Sequence, residues 1–145
     1  TTVMDETWYG VTINSFTSVS LNPPLITIAL GQHLHTHSLI EQSGVFSVNI
    51  LDNTQLEWGK RFAGFFKEIE DRFEGIDCQV GTTGCPLLPE TLGWLECRVY
   101  QTHPVGDHTL FIGEVVAGNA AVNPNVPLTY HNRQWGQFTP LPDVD

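Results

Sequence analysis

Residues 10–30 read GVTINSFTSVSLNPPLITIAL, a run of Val, Ile, Thr and Ser almost free of helix formers and broken once at Asn22-Pro23-Pro24. The pattern predicts strand, turn, strand. Residues 25–30 are nearly continuous in apolar character, so the second of these strands is expected to be covered on both faces. In residues 46–51, Phe46, Val48 and Ile50 fall on one side and Ser47, Asn49 and Leu51 on the other, which predicts a third strand. Residues 36–42 leave room for a short helix that Gly44 would close. Thr54-Gln55-Leu56-Glu57 has capping-box spacing and predicts a helix running to about Phe66. Leu56, Phe62, Phe65 and Phe66 would face inward, and Lys60, Lys67 and Glu68 outward.

After a loop at residues 81–86, residues 93–102 and 108–117 are both strand-like and predict a long hairpin with a five-residue loop, His103-Pro104-Val105-Gly106-Asp107. Residues 122–127, with two prolines and two asparagines, read as an irregular approach to a last strand at 128–130. Many short strands and one well-marked helix fit a mainly β fold, a closed or split β-barrel with flanking helices. The 145 residues are expected to form a single domain, with 138–145 a frayed tail.

Composition narrows the partners. With 41% hydrophobic and 15% charged residues the chain is too apolar to be disordered. Six Lys and Arg stand against sixteen Asp and Glu, a formal charge of -10 that repels phosphate backbones and anionic membranes. Neither nucleic acid nor membrane is therefore an expected partner. The three cysteines, Cys78, Cys85 and Cys97, form no C-x-x-C pair, which argues against a disulfide framework or zinc site and for a soluble cytoplasmic protein. Any phosphate-bearing ligand must be held by dipoles and hydroxyls rather than by an overall positive field.

Common site types are missing: the sequence has no G-x-G-x-x-G, P-loop or G-x-S-x-G. A nicotinamide, if one binds, does so without the usual dinucleotide fold. His33, His35 and His37 alternate as metal ligands on a strand would, but they fall where a strand gives way to a helix and no second motif supports them. They read as exposed loop histidines, and no metal is expected. Asn14-Ser15-Phe16-Thr17-Ser18-Val19-Ser20 gathers hydroxyls and an amide around one aromatic ring. Such a run can bond the edge of a planar heterocycle and a phosphate without positive charge; it is equally a Ser/Thr-rich edge strand.

The order of residues adds a resemblance. GVTINSFTSVSLNPPLITIAL resembles the flavin reductase-like family, the short-chain reductases that supply reduced flavin to two-component monooxygenases. The likeness continues through FSVNIL, Arg61-Phe62-Ala63, Asp71-Arg72-Phe73, Trp94-Leu95-Glu96-Cys97, the run from Gly106-Asp107-His108 to Val115, and Pro127-Leu128-Thr129-Tyr130. It implies an FMN-binding split barrel that forms a homodimer with flavin near the subunit boundary. It further implies an NAD(P)H-dependent flavin reductase that uses FMN or FAD with NADH or NADPH and serves a partner monooxygenase. By position, Thr12, Asn14, Ser15, Phe16, Thr17, Ser18 and Ser20 match residues that line the flavin, and His35 and Thr36 fall beside its phosphate. His108 matches a histidine that sits by the flavin and places the nicotinamide, the one catalytic candidate. A non-catalytic flavin-binding module for storage, sensing or partner regulation is the alternative.

Overall fold

The computed structural model describes residues 1–122 and 125–142. In chain order the elements are β1 (Thr2–Met4), β2 (Thr7–Tyr9), β3 (Thr17–Leu21), β4 (Pro24–Gly31), α1 (His35–Ser43), β5 (Val45–Ile50), α2 (Leu56–Phe62), β6 (Gln79–Val80), β7 (Pro86–Leu87), β8 (Gly93–Val105), β9 (His108–Ala120), β10 (Leu128–His131) and β11 (Gln134–Gln137). Five of them build the main antiparallel sheet, in the order β3-β4-β9-β8-β5, and β1-β2, β6-β7 and β10-β11 are separate hairpins.

Alternation along the strands sorts the side chains. β4 sends Ile26, Ile28 and Leu30 to one face, where they meet Phe46 of β5, Cys97 of β8, Phe111 of β9 and Ile40 of α1 in the main core. The opposite face of β4 carries Leu25, Thr27 and Ala29, which are half-buried, so this strand is fully covered on one side rather than on two. Gly113 in the centre of β9 makes room for Phe46, whose ring would lie 2.4 Å from a Cβ at that position. A second cluster, Phe62, Phe73, Ile76 and Leu88 with Trp8, Leu51 and Trp58, packs around α2.

α1 ends as its sequence implies: Gly44 adopts a left-handed conformation at φ 69°, and its N–H reaches the Ile40 carbonyl at 3.0 Å. α2 differs from expectation. It runs from Leu56 to Phe62, four residues short of Phe66, with Gln55 rather than Thr54 at its N-cap position. The capping box does not form because the Asp52 carboxylate takes both the Thr54 N–H (2.8 Å) and the Thr54 hydroxyl (2.6 Å). Glu57 is drawn instead to Arg61, at 2.9 Å. Phe65, expected inward, is 62% exposed.

The strand expected over residues 10–21 begins only at Thr17. Upstream, the Thr12 N–H bonds the Phe62 carbonyl (3.2 Å) and its hydroxyl the Gly59 carbonyl (2.7 Å), which ties this segment to α2 rather than to a neighbouring strand. Ser15 bonds both the carbonyl (2.8 Å) and the N–H (3.1 Å) of Ala29, so its side chain stands in for ladder bonds. The long hairpin turns on Gly106 and Asp107 alone, because β8 extends to Val105, where five loop residues were expected. The last strand is one arm of a hairpin. Of the irregular stretch 122–127, residues 123 and 124 lie outside the described residues; beyond them Val126 accepts the Asn53 N–H at 2.9 Å. Residues 138–142 are exposed and outside any strand, and 143–145 are not among the described residues.

Candidate functional site

Of the residues singled out from the sequence, Ser15, His35, Thr36 and His108 lie around the C-terminal end of β4, Ser18 and Ser20 pair with Ile26 and Leu25 near its start, and Thr12 is tied to α2. Thr17 of β3 pairs with Thr27, and Ser15 is anchored on Ala29. Two residues farther on, Gly31 pairs with His108 at the start of β9, and α1 begins four residues after that. Gln32 closes the corner: its N–H reaches the Asp107 carbonyl at 2.9 Å and its Nε2 reaches the His108 carbonyl at 3.2 Å.

A cavity of about 410 Å3 opens beside this corner, within the size range of small-molecule sites. Thr12, Asn14, Phe16 and Thr36 line it, as do buried Ile28, Leu30, Ile40 and Phe46 from the main core and Phe62 and Leu88 from the second cluster. Tyr130 of β10 and Trp135 of β11 complete the wall. Asn14 and Phe16 are exposed, so the polar residues lie toward solvent and the apolar ones form the floor. Thr36 is only 9% exposed, yet among the described residues its hydroxyl has no hydrogen-bond partner. A cavity-lining threonine whose hydroxyl has no protein partner can offer it to a polar ligand.

Not every candidate reaches the cavity wall. Ser15 is committed to the β4 backbone, Thr17, Ser18 and Ser20 lie along the edge strand β3, and His35 is exposed with its ring 5.5 Å from that of Tyr9. His108 is exposed on the side of β9 opposite buried Thr109 and Phe111, and its Nδ1 lies 2.7 Å from Asp107 Oδ1. The hydrogen bond and charge of His108 hold the Asp107 carboxyl below its ordinary value, and among the described residues Nε2 has no hydrogen-bond partner.

The three alternating histidines diverge, and among the described residues no group of His, Cys, Asp and Glu is placed to hold a metal. His37 corrects the reading of exposed loop histidines: it is 7% exposed and hydrogen-bonded to Thr109. Sequence patterns also missed Gln32 and Trp135, which carry no motif, and gave no role to Tyr130, which ends the family-like run Pro127-Leu128-Thr129-Tyr130; the fold alone brings Tyr130 and Trp135 to the cavity.

Comparison with known proteins finds flavin reductases among those similar to this chain. The chain is 37% identical over 132 residues to a probable flavin reductase of Rhizobium meliloti (strain 1021), covering 90% of this chain and 40% of that protein. It is 37% identical over 136 residues to the NADH-dependent flavin reductase StyB of Pseudomonas fluorescens, covering 92% and 76%. The structure of the Streptomyces globisporus C-1027 NADH:FAD oxidoreductase SgcE6 in complex with NAD and FAD fragments superposes with a TM-score of 0.84 at 32% identity, covering 93% of this chain and 80% of that one. The chain spans between 40% and 61% of the length of four curated relatives. Its fold is accordingly the mainly β split barrel of these reductases. Residues 1–139 match the family described as flavin reductase like domain, and the chain belongs to that family.

Proposed function

We propose that this chain carries an NAD(P)H:flavin oxidoreductase activity, passing a hydride from NADH or NADPH to FMN or FAD and supplying the reduced flavin to a partner monooxygenase. The observation that carries the reading is the cavity itself: an apolar floor for a flat ring, a hydroxyl and amide rim, and Thr36 in its wall with a hydroxyl that has no hydrogen-bond partner among the described residues. Relatives named as an NADH-dependent FAD reductase and as an FMN reductase support both flavins, and a relative named as a reductase component of a nitrophenol monooxygenase supports the partner.

Flavin, when bound, supplies the hydride-accepting ring; the protein orients it and limits water around it. Thr12, Asn14, Phe16 and Thr36 would grip the ring and side chain, with Thr17, Ser18 and Ser20 along the adjoining strand. The first turn of α1, with His35 and Thr36, would hold the phosphate through backbone N–H groups, which suits a chain of charge -10. His108, steadied by Asp107, would place the nicotinamide. Little acid–base machinery is required, and among the described residues no pair of carboxylates lines the cavity.

A homodimer belongs to the same proposal. Leu110 and Ile112 point away from the core, and with exposed Val105 they leave an apolar strip on the sheet's outer side beside His108. The Thr27 hydroxyl on that side is buried without a partner among the described residues. A cytoplasmic setting is supported by three free thiols, two of which burial pushes up to about 11 (Cys78) and about 12 (Cys97). Among the described residues no helix is long and apolar enough to cross a membrane.

Anaerobic mixing of the chain with FMN and NADH tests the reading. Loss of the yellow flavin absorbance within seconds is expected. Tight binding with the colour retained would instead make the chain a non-catalytic flavin module.

A further inference from the structure

His37, the third residue of α1, is a buried imidazole that the proposed chemistry leaves unused. Its Nε2 shares a 2.8 Å hydrogen bond with Thr109 Oγ1, its ring stands edge-on to Phe111 at 5.2 Å, and its Nδ1 lies 3.7 Å from Glu41. Thr109 is 1% exposed, pairs with Leu30 and directly follows His108. An apolar side chain would fill this space against Phe111 without any polar group to satisfy, so the imidazole's use lies in its bond. Among the described residues that bond is the one side-chain hydrogen bond between α1 and β9.

It joins the turn that puts Thr36 in the cavity wall to the strand that starts with His108. We infer that His37 is a positioning residue: through Thr109 it fixes the first turn of α1 against β9 and so sets the site's affinity for a phosphate-bearing flavin. The inference rests on the flavin reading above. Exposed backbone N–H groups bind a phosphate only at hydrogen-bond distance, so a small drift of this turn weakens phosphate contacts while leaving ring contacts in place.

NADH oxidation measured with FMN and with riboflavin, which lacks the phosphate, tests the inference on the unaltered chain and three variants. Thr109→Val keeps the side-chain volume and removes the hydroxyl. The KM for FMN should rise about five- to tenfold, the effect of one lost hydrogen bond, while the KM for riboflavin stays at its unaltered value. Thr109→Ser should restore the FMN value. His37→Phe, which keeps a ring against Phe111, should reproduce the FMN-selective rise and carries the test should Thr109→Val not fold. An equal rise for both flavins, or an unchanged KM for FMN in a folded variant, makes His37 a core residue only and overturns the inference alone. No oxidation with either flavin by the unaltered chain overturns the flavin reading and the inference together.

Discussion

The Glu96 carboxylate, 1% exposed on β8, accepts the backbone N–H and hydroxyl of both Thr82 and Thr83 at 2.6–3.2 Å. Burial alone would raise its pKa; the four bonds outweigh burial and hold the carboxyl below its ordinary value of 4.5. Glu96→Gln replaces one accepting oxygen with an amide that faces donors, and it should cost about 2–3 kcal/mol in urea unfolding at pH 7. Because the folded pKa is the depressed one, this stability is present above 4.5 and lost as pH falls through the folded value. The gap between variant and parent should therefore close on acidification, and a gap that holds steady with pH would refute the charge-assisted account. At the other end of the sheet, His108→Ala removes the ring that Asp107 steadies but leaves the cavity lining intact. Stopped-flow flavin reduction should slow by roughly a hundredfold, with far less change in flavin Kd; equal losses would mean that His108 serves binding rather than placement.

Gly113 shows how closely the central strands approach the core: a Cβ there meets Phe46 Cζ at 2.4 Å and Cys97 Cβ at 2.9 Å. Gly113→Ala must displace the Phe46 ring in a filled interior and should cost about 1–3 kcal/mol by thermal or urea unfolding. Undiminished stability would show that β5 can shift outward. Elements with strong local patterns were legible: β4 from its apolar run, β5 from alternation, α1 from Gly44 and the β8-β9 hairpin from its two strand-like runs. Those decided by a single side chain or turn were not. Asp5-Glu6 and Asn132-Arg133 turn the first and last hairpins with both central residues at positive φ, between 47° and 62°, without the glycine that usually announces such a turn. Thr54 looked like a cap because nothing in the local pattern reveals that Asp52 captures its hydroxyl. Of the candidate site, the run Asn14 to Ser20 was readable as hydroxyls and an amide, of which only Asn14 and Phe16 line the cavity, while Thr12 and Thr36 came from the family resemblance alone. The cavity's far wall at Tyr130 and Trp135 depends on a hairpin more than 90 residues downstream of β4.

For the whole molecule the governing fact is charge. At -10 the chain repels FMN and NADH over distances far greater than any hydrogen bond, and two of its six cationic side chains are already engaged. Arg61 reaches Glu57 and the Glu74 carbonyl, and Arg72 reaches the carbonyls of Gly10 and Phe62. Among the described residues no Lys or Arg lines the cavity. Ligand capture therefore relies on short-range dipoles inside a repulsive outer field, the reverse of the steering seen where a cleft carries charge opposite to its substrate. Added salt shortens the screening length from about 30 Å at 0.01 M to about 8 Å at 0.15 M, which removes the long-range repulsion and leaves the close contacts largely intact. The kcat/KM for NADH should accordingly rise across that range, by a few-fold, while kcat at saturating NADH stays level. A fall with salt would place a positive field at the entrance, supplied by a partner subunit or another part of a longer protein, and the dipole-based account of phosphate binding would have to be abandoned.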